Sequence, residues 1–415
     1  MTTAPEPLTR RGIPLHPDLR ALAIGSFATR FGGGAVMSTS AIYFTRHVGF
    51  TAAEVAFAIS AAGLVALLVA VPAGQLGDAR GPRETLTRVM TLLALATPLP
   101  ALARSPLALA ALLAAEAALS ASANAVRNGL IAQLATGGRG VAFKAYLRAV
   151  TNSAIAGGSL VGGAALLVDR DAAYLAVFVV AGLLTAFAAW NTTRLTHVPP
   201  SPRAAGEPRL RVLRDRPYVA TVLATGVFAM HFVAAELGIA LFVSQRTSAP
   251  TVMVAVLLLI NTVAVTALQV RLSRSSDTVR SGGRELVRGG ALIAVGFALI
   301  GLAEGMPPAP AVALLVAGAV VHVVGEIIGS GGTWAIQMGL APYERQGQYQ
   351  GFASLGFSLM HVLGPPVVTL LCVQLGRIGW LLMGLLVLAS AVAAQWLSRW
   401  ALASRAAYGV STHSG

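Results

Sequence analysis

Apolar residues occur along the chain in runs of about twenty, separated by short polar or charged segments. The runs do not alternate strictly between apolar and polar positions, as the strands of a transmembrane β-barrel would. A helix of about twenty residues, rising 1.5 Å per residue, matches the roughly 30 Å hydrocarbon core of a bilayer. The pattern therefore predicts an all-α polytopic membrane protein with twelve transmembrane helices in two six-helix bundles.

The predicted spans form two sets of six, separated by a polar stretch rich in Pro and Arg that predicts a cytoplasmic linker. The spans lie at 20–44, 53–75, 85–103, 106–126, 145–168, 172–190, 218–243, 250–270, 287–304, 310–337, 349–374 and 377–402. The predicted domains are a cytoplasmic tail at 1–19, an N-terminal bundle at 20–190, the linker at 191–217, a C-terminal bundle at 218–402 and a cytoplasmic tail at 403–415.

Composition supports a membrane protein, because 56% of the 415 residues are apolar and only 11% are charged. A soluble protein would carry roughly a quarter charged residues. The lone cysteine, Cys372, lies in an apolar run, which excludes an intrachain disulfide.

The formal net charge of +14 would suggest a nucleic-acid partner in a soluble protein. The positions of the charges argue against this. If the N-terminus is cytoplasmic, most of the 30 basic residues lie on the cytoplasmic side. The exceptions are Arg30 within a span and Arg46, Arg104, Arg170, Arg246 and Arg377 outside. This positive-inside bias predicts cytoplasmic termini and no nucleic-acid partner. A single lysine, Lys144, among 29 arginines resembles the codon bias of a high-GC bacterial genome. We expect a multi-pass protein of the bacterial cell (inner or plasma) membrane.

The two halves resemble each other. Residues 41–45 align with 240–244 at an offset of 199, and the same offset places Asp78 on Asp277. Each aspartate lies after the second span of its half. An internal repeat of six spans, joined by a cytoplasmic linker, predicts two parallel pseudo-symmetric halves.

A loop motif lies between the second and third spans. It runs from Gly74 through Asp78, Arg80 and Gly81 to Arg83. A Gly, three residues, an Asp and basic residues around a second Gly resemble the loop signature of the major facilitator superfamily. Ala79 and Pro82 depart from it, because the family usually has basic residues there.

The resemblance implies a twelve-helix secondary transporter, similar to bacterial drug exporters and monomeric. It implies alternating access, without enzymatic activity and without a cofactor. It also implies that Asp78 faces the positive N-terminus of the eleventh span, near Tyr349, in a contact that breaks and re-forms during transport.

The fifth span carries Gly158, Gly162 and Gly163, which resemble the glycine core of an antiporter motif, with Ser159 in place of its Pro. Small residues in a membrane helix also serve simple packing, so both interpretations stay open. Arg148 and Asn152, four apart at the start of this span, predict a polar network at the cytoplasmic border, which Asn124 and Arg127 can join.

Ionisable residues at bilayer depth usually face a cavity or a partner. The candidates for a substrate and proton cavity are Arg30, Glu116, His231, Glu236, His322 and Glu326. They fall in the first, fourth, seventh and tenth spans, which line the central cavity of the family. Taken together, one arginine against three glutamates favours cationic or amphipathic substrates.

His322 and Glu326 lie four apart and share one helix face, where they can carry a proton or hold a neighbouring helix by a hydrogen bond. They also form half a metal site, but the sequence shows no third ligand, so no metal is predicted. His231 and Glu236 are five apart and point in different directions. Arg30 can bind an anionic group or pair with a glutamate.

These features predict proton-coupled export of small hydrophobic or cationic compounds, with the lipid bilayer, protons and a small-molecule substrate as partners. Uptake or facilitated diffusion of a metabolite, with Arg30 on a carboxylate or phosphate, is the alternative, and a membrane receptor or sensor is a remote one. The single Lys144 comes after no glycine run, so no phosphate loop exists. The sequence has no His-Glu-x-x-His motif and no Cys pair, so no enzyme is predicted.

Overall fold

The computed structural model describes residues 13–135, 138–201, 208 and 210–408. Within these ranges the chain forms twelve long helices and no β-strand. The helices are α1 Pro17–Ile42, α2 Ala52–Arg80, α3 Pro82–Ala96, α4 Pro106–Leu134, α5 Gly138–Val168, α6 Asp171–Thr192, α7 Arg216–Arg246, α8 Met253–Leu272, α9 Val279–Leu302, α10 Pro308–Leu340, α11 Gln346–Val368 and α12 Gly376–Ser404. The predicted all-α fold is confirmed. Most of the predicted tails and part of the linker lie outside the described residues.

The helices have the length and composition of membrane spans. Eleven helices of the described chain are long and apolar enough to cross a bilayer. The first, α1, has 26 residues but carries Asp18, Arg20 and Arg30, and it is not among the eleven. Large apolar side chains are exposed on the outer surface, including Leu167 at 89% and Leu107 at 79%. Such exposure suits a lipid solvent, and the chain is a multi-pass membrane protein.

Packing divides the chain into two compact units. Unit 1 comprises Met1–Ala135, Leu147–Arg209 and Tyr343–Gly351, and unit 2 comprises Thr136–Tyr146, Leu210–Pro342 and Phe352–Gly415. The first residues of α5 therefore belong to unit 2, and the first residues of α11 belong to unit 1. The division into bundles at 20–190 and 218–402 stays a sequence-based prediction.

In unit 2, α9 and α10 pack backbone against backbone. A Cβ added at Gly289 would lie 2.6 Å from the carbonyl oxygen of Gly325, and one at Gly325 would lie 2.7 Å from that of Gly289. Only glycine permits such an approach, which provides the packing that holds membrane helices together. The contact fixes the depth and rotation of α10, which carries His322 and Glu326.

Three helices contain or are extended by a π-helical turn, and one of these turns, Tyr43–His47, directly follows α1. In α7, regular helix runs over Arg216–Phe228, and a π-helical turn over Ala234–Gly238 precedes Ile239–Arg246. A π turn inserts an extra residue and shifts the helical phase of the residues after it. The third π turn, Thr369–Gln374, extends α11 and buries Cys372 completely.

In unit 2, a buried ion pair connects the residue after α12 with the residue before α7. Arg405 Nη1, just after α12, lies 2.8 Å from Asp215 Oδ2, just before α7, and both side chains are at most 5% exposed. Asp215 also caps α7, because its Oδ1 accepts the amide of Tyr218 at 3.2 Å. Loss of one partner would leave the other charge buried and uncompensated.

Arg405→Gln is therefore expected to destabilise unit 2 by about 3–5 kcal/mol. Arg280→Gln is the matched control, because Arg280 is exposed on α9 of the same unit. Surface substitutions of this kind change stability by about 0.5 kcal/mol or less. Unfolding by SDS titration in mixed micelles measures the stability of both variants. Equal losses of stability would contradict the role assigned to the buried Arg405–Asp215 pair.

His47 joins two loops of unit 1. It lies just after α1, and its ring nitrogens are 3.0 Å from Asp169 Oδ1 and 2.5 Å from Asp171 Oδ1, both at the turn between α5 and α6. The hydrogen bond to Asp169 is the main cause that raises the pKa of His47. Asp169 has a φ of 46°, a left-handed conformation that Asn also adopts readily.

The raised pKa of His47 predicts a pH dependence of stability. The contribution is complete below the pKa of an unfolded histidine and is lost as the pH rises through the folded pKa. We expect the unfolding midpoint of the wild type to fall more over this range than that of Asp169→Asn, which removes one of the two partner charges without straining the backbone. Parallel pH profiles for the two proteins would refute the linkage.

Candidate functional site

Unit 1 contains a cavity of about 260 Å³ between α1, α3, α4, α5 and α6. Its polar lining consists of Thr29, Arg30, Thr97, Glu116, Ser120, Asn124, Arg127 and Thr185. Val36, Met37, Met90 and Leu93 supply an apolar wall. We call this the Arg30–Arg127 cavity.

Two guanidinium groups converge in this cavity. Arg30 Nη2 donates to Asn124 Oδ1 at 3.4 Å, and Arg127 Nη2 donates to the same oxygen over a short distance. Among the described residues, neither arginine has a carboxylate within 4.0 Å, and Arg127 Nε is a buried donor without an acceptor. Two like charges near one amide oxygen form a cluster that lacks an anion.

The polar residues of α4 share one helix face. Glu116, Ser120, Asn124 and Arg127 succeed one another at spacings of four, four and three, the period of a helix. The sequence predicts Asn124 and Arg127 in a border network, whereas the structure places both in the cavity. The polar stripe that begins at Glu116 is the signal that could have identified them.

Glu116 also lines the Arg30–Arg127 cavity and is half-buried. In the part of the chain that the structure describes, it makes no hydrogen bond and no ion pair. The pairing of Arg30 with a glutamate that the sequence allows is therefore not formed with Glu116. The net formal charge of this cavity is positive, with two arginines against one glutamate.

Unit 2 holds a second polar group, which we call the His231 cluster: His231 on α7 with His322 and Glu326 on α10. His231 Nδ1 lies 3.3 Å from His322 Nε2, and His322 Nδ1 lies 3.8 Å from Glu326 Oε2. All three residues are at most 2% exposed. The sequence predicts the pairing of His322 with Glu326 but not His231 as their neighbour. Glu236, within the π turn of α7, is exposed.

The loop motif places Asp78 against the start of α11. Gly347 and Gln348 donate their backbone amides to the Asp78 carboxylate at 2.8 and 2.9 Å. The Asp78 carbonyl oxygen accepts the amide of Ser201 at 2.7 Å, and Arg345 Nη1 donates to the carbonyl of Ser201 at 2.6 Å. The predicted contact of Asp78 with a helix N-terminus is present in unit 1, two residues before Tyr349.

The other motif residues shape this contact or the turn beside it. Gly74 and Gly347 touch through their backbones, so a Cβ on either would collide with the other helix. Gly81 has a φ of 92° and allows α2 to end directly before α3. Arg83 Nη2 donates to the carbonyl oxygen of Thr193 at 2.8 Å, whereas Arg80 is exposed.

The fifth-helix glycines pack α5 against α1. A Cβ at Gly158 would collide with the backbone of Phe31, and one at Gly162 with Ser38 and Ala35. Gly163, in contrast, faces open space. These contacts agree with the packing interpretation of the motif.

Arg148 and Asn152 are half-buried on α5, and neither lines the Arg30–Arg127 cavity. That helix contributes Ile155 to the cavity wall instead.

The two internal repeats differ at their matching aspartates. Asp277 Oδ1, two residues before α9, accepts a hydrogen bond from Ser281 of that helix at 2.7 Å. Its Cβ would meet a Cβ at Gly138, the start of α5, at 2.9 Å. In the described residues, no α5 amide donates to Asp277, so the anion–helix contact is made by Asp78 alone.

A helical membrane protein with two units, a polar cavity and this loop contact belongs to the class of polytopic transporters. The Major Facilitator Superfamily model matches residues 22–365, and the chain belongs to that family. It is a membrane transporter and not an enzyme. None of the curated proteins compared with the chain matches its sequence.

Solved structures share the fold at low sequence identity. The human organic anion transporter MFSD10 (TETRAN) has a TM-score of 0.69 at 12% identity, covering 91% of this chain and 99% of its own. A bacterial homologue of the iron transporter ferroportin, in an outward-facing state, has a TM-score of 0.68 at 16% identity, covering 94% and 100%. The proton:xylose symporter XylE has a TM-score of 0.64 at 11% identity, covering 91% and 94%.

The Asp78 contact predicts the protection of two amides. Asp78→Asn keeps one acceptor oxygen but loses the charge and one of the two hydrogen bonds, each worth about 1.5–3 kcal/mol when the acceptor is charged. Hydrogen–deuterium exchange at Gly347 and Gln348 is expected to accelerate by roughly tenfold to a hundredfold. Asp277→Asn, the matched change in the other repeat, should leave these amides unaffected. Unchanged exchange in Asp78→Asn would contradict the role assigned to its carboxylate.

Proposed function

We propose that the chain is a secondary transporter of a small organic anion, which binds between Arg30 and Arg127. The observation that carries this proposal is the convergence of both guanidiniums on Asn124 in the Arg30–Arg127 cavity, without a carboxylate partner among the described residues. The cavity volume of about 260 Å³ is below the roughly 300–1,000 Å³ of drug-sized ligand sites, which favours a small substrate.

The electrostatics support an anionic group as the missing partner. Two neighbouring positive charges in a poorly solvated site repel each other, and a carboxylate or phosphate would offset that cost. A guanidinium offers a planar fork that binds such groups through two parallel hydrogen bonds. Asn124 holds both forks toward one point, so little side-chain entropy is lost on binding.

Glu116 is our candidate proton carrier, because it lines the same cavity. With Glu116 ionised, the three charged groups of the cavity sum to one positive charge, and protonation raises this to two. Proton and anion therefore bind cooperatively, since each strengthens the binding of the other by the same factor. Cooperative binding is the arrangement for symport, in which an inward proton gradient drives uptake.

This proposal adopts the second candidate from the sequence, uptake of a metabolite with Arg30 on its anionic group. We propose that it operates in a bacterial cell membrane, with cytoplasmic termini, as a monomer. The structural neighbours supply analogies only: MFSD10 is described as an organic anion transporter and XylE as a proton symporter.

Proton-driven export of a hydrophobic or cationic compound is the second candidate function. It is favoured by the apolar wall of Met37, Met90 and Leu93 beside the Glu116 carboxylate. In that mechanism Glu116 would exchange a proton for the substrate, and the arginines would not contact the substrate.

The coupling predicts how anion affinity depends on pH. In proteoliposomes with an internal pH dye, we would test acetate, lactate, succinate, citrate and inorganic phosphate, and lipophilic cations as the opposing set. Anion affinity of the wild type should fall as the pH rises through the pKa of Glu116, by up to about tenfold per pH unit. Glu116→Gln, which mimics the protonated state, should bind the anion tightly at every pH and transport it without proton movement.

Arginine variants separate the two candidate functions. Arg127→Lys and Arg30→Lys keep the charge but lose the fork, so we expect anion binding to weaken by about tenfold or more. Arg288→Lys, at an exposed position in unit 2, is the matched control and should behave as the wild type. The contradicting result would be transport of lipophilic cations that is unchanged in the Arg30 and Arg127 variants and abolished in Glu116→Gln. That result would overturn anion symport in favour of export.

A further inference from the structure

The His231 cluster brings two imidazoles and one carboxylate close together inside unit 2. One ligand atom from each of His231, His322 and Glu326 lies within 4.8 Å of the others. The cluster belongs to different helices from the Arg30–Arg127 cavity, and its chemistry does not depend on the proposed anion.

Local structure brings the three residues together. His322 and Glu326 share a face of α10 because they are four residues apart. His231 lies just after the interruption of α7 at Ala229, and Phe228 packs against Gly329 of α10, where a Cβ would lie 2.5 Å from its ring. The absent side chain at Gly329 thus lets α7 approach the face of α10 that carries the two other donors.

Aromatic packing restricts both imidazole rings. The His322 ring is stacked on Phe297 with a centroid distance of 5.1 Å. The His231 ring lies 4.9 Å from the ring of Phe228 and 4.0 Å from that of Phe232. Donors held in this way need little rearrangement to bind a ligand, which is the condition for a tight site.

The distances suit a metal ion. For tetrahedral coordination with bonds of about 2.05 Å, neighbouring ligand atoms lie about 3.3 Å apart. His231 Nδ1 and His322 Nε2 are 3.3 Å apart. Glu326 Oε2 lies 3.8 Å from the other ring nitrogen of His322, Nδ1, so Glu326 would have to rotate its side chain to join the two imidazoles at one ion. Asn261 Nδ2 donates to Glu326 Oε2 at 2.9 Å and orients the carboxylate, as hydrogen-bond partners of metal ligands do.

We propose that His231, His322 and Glu326 bind one divalent first-row transition-metal ion, with Asn261 as a positioning residue. Imidazole nitrogens favour Zn²⁺, Co²⁺, Ni²⁺ and Fe²⁺ over Mg²⁺ and Ca²⁺, which prefer oxygen ligands. Three protein ligands leave a coordination position open for water or a further donor. The competing explanation is a buried hydrogen-bonded cluster that only holds α7 to α10.

Cobalt titration distinguishes a metal site from a cluster that is only hydrogen-bonded. The full-length chain would be purified in detergent with a histidine-free tag, stripped with a chelator and titrated with Co²⁺. We expect one equivalent to produce the visible d–d absorption of a four-coordinate site, and one equivalent of Zn²⁺ to abolish it. Absence of this spectrum, or of Zn²⁺ competition, would overturn the proposal.

Isosteric variants assign the ligands. His231→Asn and Glu326→Gln should weaken Co²⁺ binding by more than about a hundredfold, and Asn261→Ala by about 10–100-fold, the usual effect of losing a hydrogen-bond partner of a metal ligand. His197→Asn and Glu54→Gln, in unit 1, are matched controls and should leave the titration unchanged. A Co²⁺ spectrum that survives both ligand variants would show that the metal binds elsewhere.

A measurement on the wild type alone guards against variants that fail to fold. A ligand that binds the native state raises the unfolding temperature in proportion to the logarithm of its concentration. Micromolar Zn²⁺ is expected to raise the melting temperature of the stripped protein, and the same concentration of Mg²⁺ to leave it unchanged. Equal responses to the two ions, or no response to Zn²⁺, would refute a transition-metal site.

Discussion

Polar groups at membrane depth have no water to solvate them, and this constraint organises both units. Within the described residues, the backbone meets it by forming helices that are joined by short connections. Side chains meet it by clustering: Arg30 and Arg127 share the amide of Asn124, and Glu326 takes a hydrogen bond from Asn261. Apolar surface, in contrast, is left outside, where lipid accommodates it. The positions of the polar groups therefore carry more information about function than how many of them the chain contains.

The same constraint explains how α11 is held at its start. The first amides of a helix have no partner within that helix, and at Gly347 and Gln348 the Asp78 carboxylate supplies one. The contact is strong because a charge faces the positive end of a helix dipole. Because the contact is buried, loss of the carboxylate would leave both amides without an acceptor.

Sequence reasoning is most successful where one short segment defines the chemistry. The loop from Gly74 to Arg83 carries the family signature, and the resemblance implies the contact of Asp78 with the start of α11. The His231 cluster is not, because its third member depends on the interruption of α7 at Ala229 and on the space beside Gly329. The pairing of Asn124 with Arg30 escapes prediction for another reason. The helical spacing of the polar residues on α4 can be predicted from the sequence, but the rotation of α4 relative to α1 cannot.

The buried position of Cys372 has a practical consequence. A thiol with no exposed surface, enclosed in the π turn after α11, is shielded from water-soluble maleimides. Because it is the single cysteine of the chain, the natural sequence has no other thiol that would react during site-directed labelling. Pairs of spin labels or fluorophores, one on each unit, can be attached at introduced cysteines without first replacing a native residue. The movements of this transporter can thus be followed in a protein that differs from the natural one only at the labelled positions.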